Sequence, residues 1–189
     1  MSVEKEDVWI QSYGGHKINP FQIDPTQVDI KDIAHALSML CRYNGHIHTF
    51  YSVAQHSCHV GQMIYRDTKD TRLAYIGLLH DMQEAYIVDF CRPLKKAFQN
   101  YMELEAKVAL EMYQVFGVEQ AEYEVTASIV KKYDNIALVT EAIQLLNTPP
   151  INNWVQAYPV KAEEAPLVPL SPKEARSLFL QLFSQYKGY

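Results

Sequence analysis

Across residues 29–146 the apolar side chains recur at helical spacing in one stretch after another, and alternating strand patterns are almost absent. That periodicity confines the chain to packed helices, since an apolar stripe has to be buried against another element. Asp29 or Asp32 is placed to cap a first helix running to about residue 43, where Asn44-Gly45 ends it. Ser52 caps a second helix, 53 to about 66, and a polar turn at 67–70 leads into a third, 71 to about 88. Pro93 marks a break. Helices are predicted again over about 101–116 and 122–146, with Gly117 between them. Ser171-Pro172 opens a last one over 171–189, a serine cap with proline in the first turn. Residues 1–29 hold the turn formers Gly14-Gly15, Asn19-Pro20 and Asp24-Pro25, and read as an irregular arm with a short hairpin between Trp9 and Phe21. The proline-rich stretch 147–170 reads as a long loop. A length of 189 residues with 48% hydrophobic content suffices for one core, so 1–189 is read as a single all-α domain, an orthogonal bundle of about six helices.

The charge narrows the partners. A net charge of −5 lacks the clustered Lys and Arg that counterion release from a nucleic-acid backbone requires, so no nucleic-acid partner is expected. An anionic ligand has to be met by a local basic cluster. Cys41, Cys58 and Cys91 are odd in number and without CxxC spacing, which suits reduced thiols. The start MSVEKEDVW is acidic and polar where a signal peptide is basic and then apolar, and no run approaches the roughly 18 apolar residues of a membrane span. A cytoplasmic protein with no membrane partner is expected.

Four polar residues sit where the helical pattern wants apolar ones. On a helix of about 100° per residue, Leu73, Ile76, Gly77, His80, Glu84 and Ile87 share a face, so His80 and Glu84 point where the apolar side chains point. His56 shares a face with Val53, Val60, Met63 and Ile64, and Asp134 a stripe with Leu138, Glu141 and Leu145. A buried imidazole or carboxylate is costly without a partner, and a metal ion is the strongest compensation. Taken singly, each has a bland reading as a satisfied core histidine or a salt-bridge partner, and for Glu141 the salt bridge is the favoured one. Together, two imidazoles and the carboxylates of Asp81 and Asp134 make a mixed nitrogen and oxygen site suited to Zn, Co or Mn, with Ni, Fe or Mg also admissible.

At these residues the sequence resembles the HD-domain phosphohydrolases, whose motif is H…HD…D. The runs WIQSYGGHKINPF, DIAHALSMLCRYNGH, FYSVAQHSCHV, GLLHDMQEAYIVDFCRPLK and YDNIALVTEA are similar to the small HD phosphohydrolases of bacteria and phages. Among these the likeness is nearest to the phage dATP triphosphohydrolases and more distant to the bacterial 5′-deoxynucleotidases. It covers residues 8–146 and leaves the tail beyond 147 unmatched. The resemblance implies a single catalytic divalent metal held by His56, His80, Asp81 and Asp134, with Glu84 as the acid/base carboxylate. It also implies nucleotide contacts from Arg42, and phosphate contacts from Lys95 and Lys96. Trp9 and Ile10, with residues 42–50, are candidates for a base pocket, and a homo-oligomer is expected. The seven histidines all lie at or before position 80, which leaves none for the later ligands of a dinuclear site.

The activity so implied is hydrolysis of a deoxynucleoside triphosphate at the α-phosphorus, giving deoxyadenosine and triphosphate from dATP. Its role would be to deplete dATP where a phage genome carries 2-aminoadenine. The alternatives are a 5′-deoxynucleotidase acting on monophosphates and, in a different class, a non-catalytic nucleotide-binding module. Glu84 argues against the last, because a pure binding module has no use for a poised carboxylate beside an open metal.

Overall fold

The structure, a computed structural model, describes residues 4–95, 97–148 and 150–188. The arm forms a small antiparallel hairpin, β1 (Ile10–Gln11) with β2 (Lys17–Ile18), in the register Ile10 opposite Ile18. It is tied down through Asp32, a buried carboxylate on α1 (Ile30–Met39) that accepts from the Ser12 hydroxyl and from His16 Nδ1 at 2.8 Å. Asp29 caps α1 by accepting from the Lys31 backbone N–H. The helix stops four residues short of the predicted end, because Leu40 and Cys41 turn extended and Cys41 bridges to Ser52; Tyr43 and Asn44 then adopt left-handed backbone angles in a tight turn at Arg42–Gly45.

Ser52 caps α2 (Val53–Thr68) by accepting from the Gln55 N–H, as its position predicts. This helix is central: Val53 to Cys58, Val60, Gly61, Met63 and Ile64 are all buried, so its polar residues go into the core with the apolar ones. The predicted third helix divides. Asp70 caps α3 (Thr71–Leu78), the chain then tightens through a turn over 79–83, and one further helical turn follows as α4 (Glu84–Ile87). His80, Asp81 and Glu84 therefore do not lie on one continuous helix face. The reason is geometric: neighbours on an α-helix diverge by about 100°, and the tighter i to i+3 bonds Met82 to Leu79 and Glu84 to Asp81 let His80 and Asp81 converge.

After the single turn α5 (Arg92–Lys95) come α6 (Gln99–Val115) and the long α7 (Gln120–Leu145), joined at Gly117, whose φ of 74° suits glycine alone. The last helix, α8 (Pro172–Lys187), begins with a reciprocal capping box between Ser171 and Glu174. Among the described residues the helices of eight or more residues are α1, α2, α3, α6, α7 and α8, so the all-α reading holds. α2 packs on α3, α8 closes over α1, α2 and α3, and α7 lies against α2, α3 and α6. Leu37, Val60, Ile64, Ile76, Leu78, Met112 and Phe179 fill the centre. No helix among the described residues is long and apolar enough to cross a membrane.

Gly77 is where α3 meets α2 most closely. A Cβ there would lie 2.3 Å from Ile64 Cδ1, and Ile64 is itself fully buried. Gly77→Ala gains about 1 kcal/mol of helix propensity but incurs an overpacking cost of about 1–3 kcal/mol in a site with no room to yield. A net loss is expected, read as a melting temperature lower by roughly 2–6 °C; an unchanged or raised Tm would show that α2 and α3 separate freely.

Candidate metal centre

α2, the turn after α3, and α7 bring His56, His80 and Asp134 together, with Asp81 beside the two histidines. His56 Nε2 and His80 Nε2 are 3.2 Å apart. Asp134 Oδ1 lies 3.4 Å from the first and 3.9 Å from the second, and Asp81 Oδ2 lies 3.5 Å and 3.1 Å from them. An ion held at about 2.0–2.2 Å by nitrogen and oxygen ligands keeps neighbouring donors about 3.3–3.6 Å apart in a tetrahedron, and the His56, His80 and Asp134 atoms lie near that spacing.

The histidine tautomers follow from their other nitrogens. His56 Nδ1 donates to Glu141 Oε1 at 2.6 Å, and His80 Nδ1 donates to the Gly77 carbonyl at 2.8 Å. In the neutral imidazoles both Nε2 atoms then present lone pairs to a cation, and without one the contact is relieved by a proton on His56 Nε2. The field there favours positive charge. Burial and the Arg42 guanidinium oppose a proton on His56, yet Glu141 and Asp134 outweigh them and lift its pKa to about 9. Burial likewise opposes charge on Asp81 and Asp134, but the two histidines hold both carboxylates below the usual range. The buried His56, His80 and Asp134 group is thus competent to hold a divalent ion.

Glu84 is buried beside this point, and its Oε2 has no hydrogen-bond partner. Burial, and after it the Asp81 and Asp89 charges, push its carboxyl well above the usual carboxylate range. Glu84, Asp89 and Glu105 bring oxygens within 4.8 Å of one another, and Lys95 Nζ sits 2.8 Å from Asp89 Oδ1 and 2.6 Å from Glu105 Oε1. A cavity of about 220 Å³ opens here, its wall including His80, Asp81, Asp134, Lys95, Glu105 and Lys131.

Other expected contacts are placed differently. Arg42 pairs with Glu141 Oε2 at 3.0 Å and so backs the support of His56; like Glu84, it is not among the residues lining the cavity. Trp9 and Ile10 are half-exposed on the hairpin, Trp9 under Lys17, and neither lines the cavity. The arm that carries them is held to α1 by Ser12 and His16 at Asp32, with Trp9 on its outer side. Lys96 lies outside the described residues. Glu141 and two cations outside the expected ligand set complete the site. Glu141 is a fully buried ion-pair partner, as its favoured reading had it, and also the group that orients His56. Arg92 Nη2 donates to Asp134 Oδ2 at 2.7 Å, and Lys131 Nζ reaches the same oxygen at 2.5 Å. The cluster CRPLKK was a legible signal for Arg92, though the phosphate role had been given to its lysines.

No family model matches the chain. It is 28% identical over 142 residues to an uncharacterized Rhodobacter capsulatus protein, RCAP_rcc00048, covering 72% of each chain. To the uncharacterized protein YfdR of Escherichia coli K12 it is 30% identical over 177 residues, 93% of this chain and 94% of YfdR. A match of that extent takes in all the site-bearing elements, and the chain belongs to the family of YfdR.

Proposed function

We propose that this chain is an HD-type phosphohydrolase that uses one divalent metal, held by His56, His80, Asp81 and Asp134, to hydrolyse a deoxynucleotide at the α-phosphorus. The observation that carries the reading is the pair of Nε2 atoms held 3.2 Å apart, with Asp134 Oδ1 3.4 Å from His56 Nε2 and Asp81 Oδ2 3.1 Å from His80 Nε2. The mixed donor set suits Zn, Co or Mn. What such an ion supplies when bound is Lewis acidity, which polarises a phosphate oxygen and acidifies water.

The chain's own residues account for the rest. Glu84 holds a proton above the usual carboxylate range, the property needed to protonate a departing 5′ oxygen. Lys95 and Lys131, on the cavity wall, are the cations nearest an entering phosphate. Glu141 and Arg42 keep His56 in the tautomer that presents Nε2.

The substrate implied by the family likeness is dATP, cut once to deoxyadenosine and inorganic triphosphate, with dATP depletion as the role. One observation favours the monophosphate reading. Lys95 is shared by two carboxylates while Lys131 and Arg92 both serve Asp134, so little unpaired charge is ready for a β- and γ-phosphate. The test is to incubate the metal-loaded protein with each dNTP and dNMP and identify the phosphate product by chromatography. Triphosphate as the first product supports the dATP reading, and orthophosphate with faster dAMP turnover supports the 5′-deoxynucleotidase. In the first case Lys95→Ala is expected to weaken triphosphate turnover more than monophosphate turnover; equal loss on both would remove Lys95 from phosphate recognition.

A further inference from the structure

Beyond α7 the chain returns and runs along that helix a second time. Its attachments keep a constant register: Tyr158 meets Arg92 beside Asn135, the Glu163 N–H donates to Thr140 Oγ1 at 2.9 Å, and the Leu167 N–H donates to Gln144 Oε1 at 2.8 Å. Gln55 on α2 fastens the far end, donating to the Val168 carbonyl and accepting from the Leu170 N–H, and His59 meets Glu163 at 2.6 Å. This strap is stitched to the two helices that carry His56 and Asp134.

From these contacts we infer that Tyr158 is a positioning residue for the metal centre, acting through Arg92 on Asp134; the inference rests on the metal reading above. Arg92 comes from a one-turn helix whose neighbours Val88, Phe90 and Leu94 are exposed, so its own backbone fixes the guanidinium poorly. Two acceptors hold it instead. Arg92 Nη1 donates to the Tyr158 hydroxyl and to Asn135 Oδ1, each at 3.1 Å, and the guanidinium carbon lies 5.4 Å from the centre of the Tyr158 ring. So held, Nη2 shares Asp134 Oδ2 with the exposed Lys131 ammonium, and the two together leave Oδ1 toward the imidazoles. A carboxylate gripped on one oxygen offers a metal a single donor. Released, it can swing to offer both and occupy a position that substrate or water needs.

The experiment titrates the metal-free protein with Co²⁺ alone and records affinity and the visible absorption band, whose intensity falls as coordination number rises. Tyr158→Phe is expected to alter the band and weaken Co²⁺ about 3- to 10-fold, and Arg92→Ala about 10- to 100-fold, the range for lost outer partners of a metal ligand. In the Arg92→Ala background Tyr158→Phe is expected to add nothing, because its effect passes through that guanidinium. Unchanged melting of metal-free Tyr158→Phe confirms that a folded protein is compared. A wild-type band and affinity in Tyr158→Phe, or an undiminished effect in the Arg92→Ala background, overturns the inference and leaves the metal reading standing. Wild type that binds no Co²⁺ overturns both.

Discussion

Replacing His80 by alanine is expected to abolish metal binding and hydrolysis together while leaving a folded protein. His80 contributes one of the two facing Nε2 atoms, and the Asp81 and Asp134 oxygens are placed around that pair, so no nearby group can take its position. The structural loss is small by comparison. The Nδ1 bond to the Gly77 carbonyl is worth about 1 kcal/mol, and His80 is only partly buried, so water can replace it. Two measurements separate these effects. Metal analysis after dialysis should find the variant empty, and Zn²⁺ should raise the Tm of wild type but not of His80→Ala, since a ligand at 100 times its Kd adds about 2.7 kcal/mol to whatever binds it. Full occupancy in the variant would remove His80 from the ligand set.

The second large effect is expected at Glu84. Glu84→Gln keeps the shape and removes the proton-transfer capacity, so turnover should fall by about two to four orders of magnitude with metal content unchanged. Stability should not fall with it. The carboxyl is buried, and burial with the Asp81 and Asp89 charges opposes its ionisation, so the amide replaces one neutral buried group by another of the same shape. A variant that is stable, metal-loaded and inactive is the expected outcome of steady-state kinetics combined with thermal melts. Near-normal turnover would exclude Glu84 from the chemistry.

What the sequence made legible depended on how far each contact reaches along the chain. His56 and Asp134 could be placed inward because they lie within long regular helices, α2 and α7, where spacing alone tells the buried face. Ser52 and Ser171 marked helix starts for the same local reason. His80 and Asp81 were identified as a pair, but by the wrong geometry, since the chain leaves the α-helix at Leu79 to aim both at one point. Arg92 and Tyr158 had no such signal. Their partners lie 42 and 66 residues away in the chain, and a proline-rich segment carries no periodicity to show which residue faces what. Trp9 misled for the opposite reason: the hairpin was readable from its turn residues, yet where a hairpin docks is decided by contacts such as Ser12 to Asp32 that local pattern does not encode.

The closing role of α8 also sets an order of events during synthesis. Phe179, Leu182, Phe183 and Tyr186 are buried against the layer formed by α1, α2 and α3, with Phe183 against Tyr75 and Tyr186 against Tyr65. Asp134, the last donor of the proposed centre, is added to the chain 38 residues before Pro172 opens that helix, and at about 5–20 residues per second the interval lasts some seconds. Through it the nascent chain displays imidazoles and carboxylates on helices whose opposite side is still wet. An ion captured then meets a mobile, unselective shell.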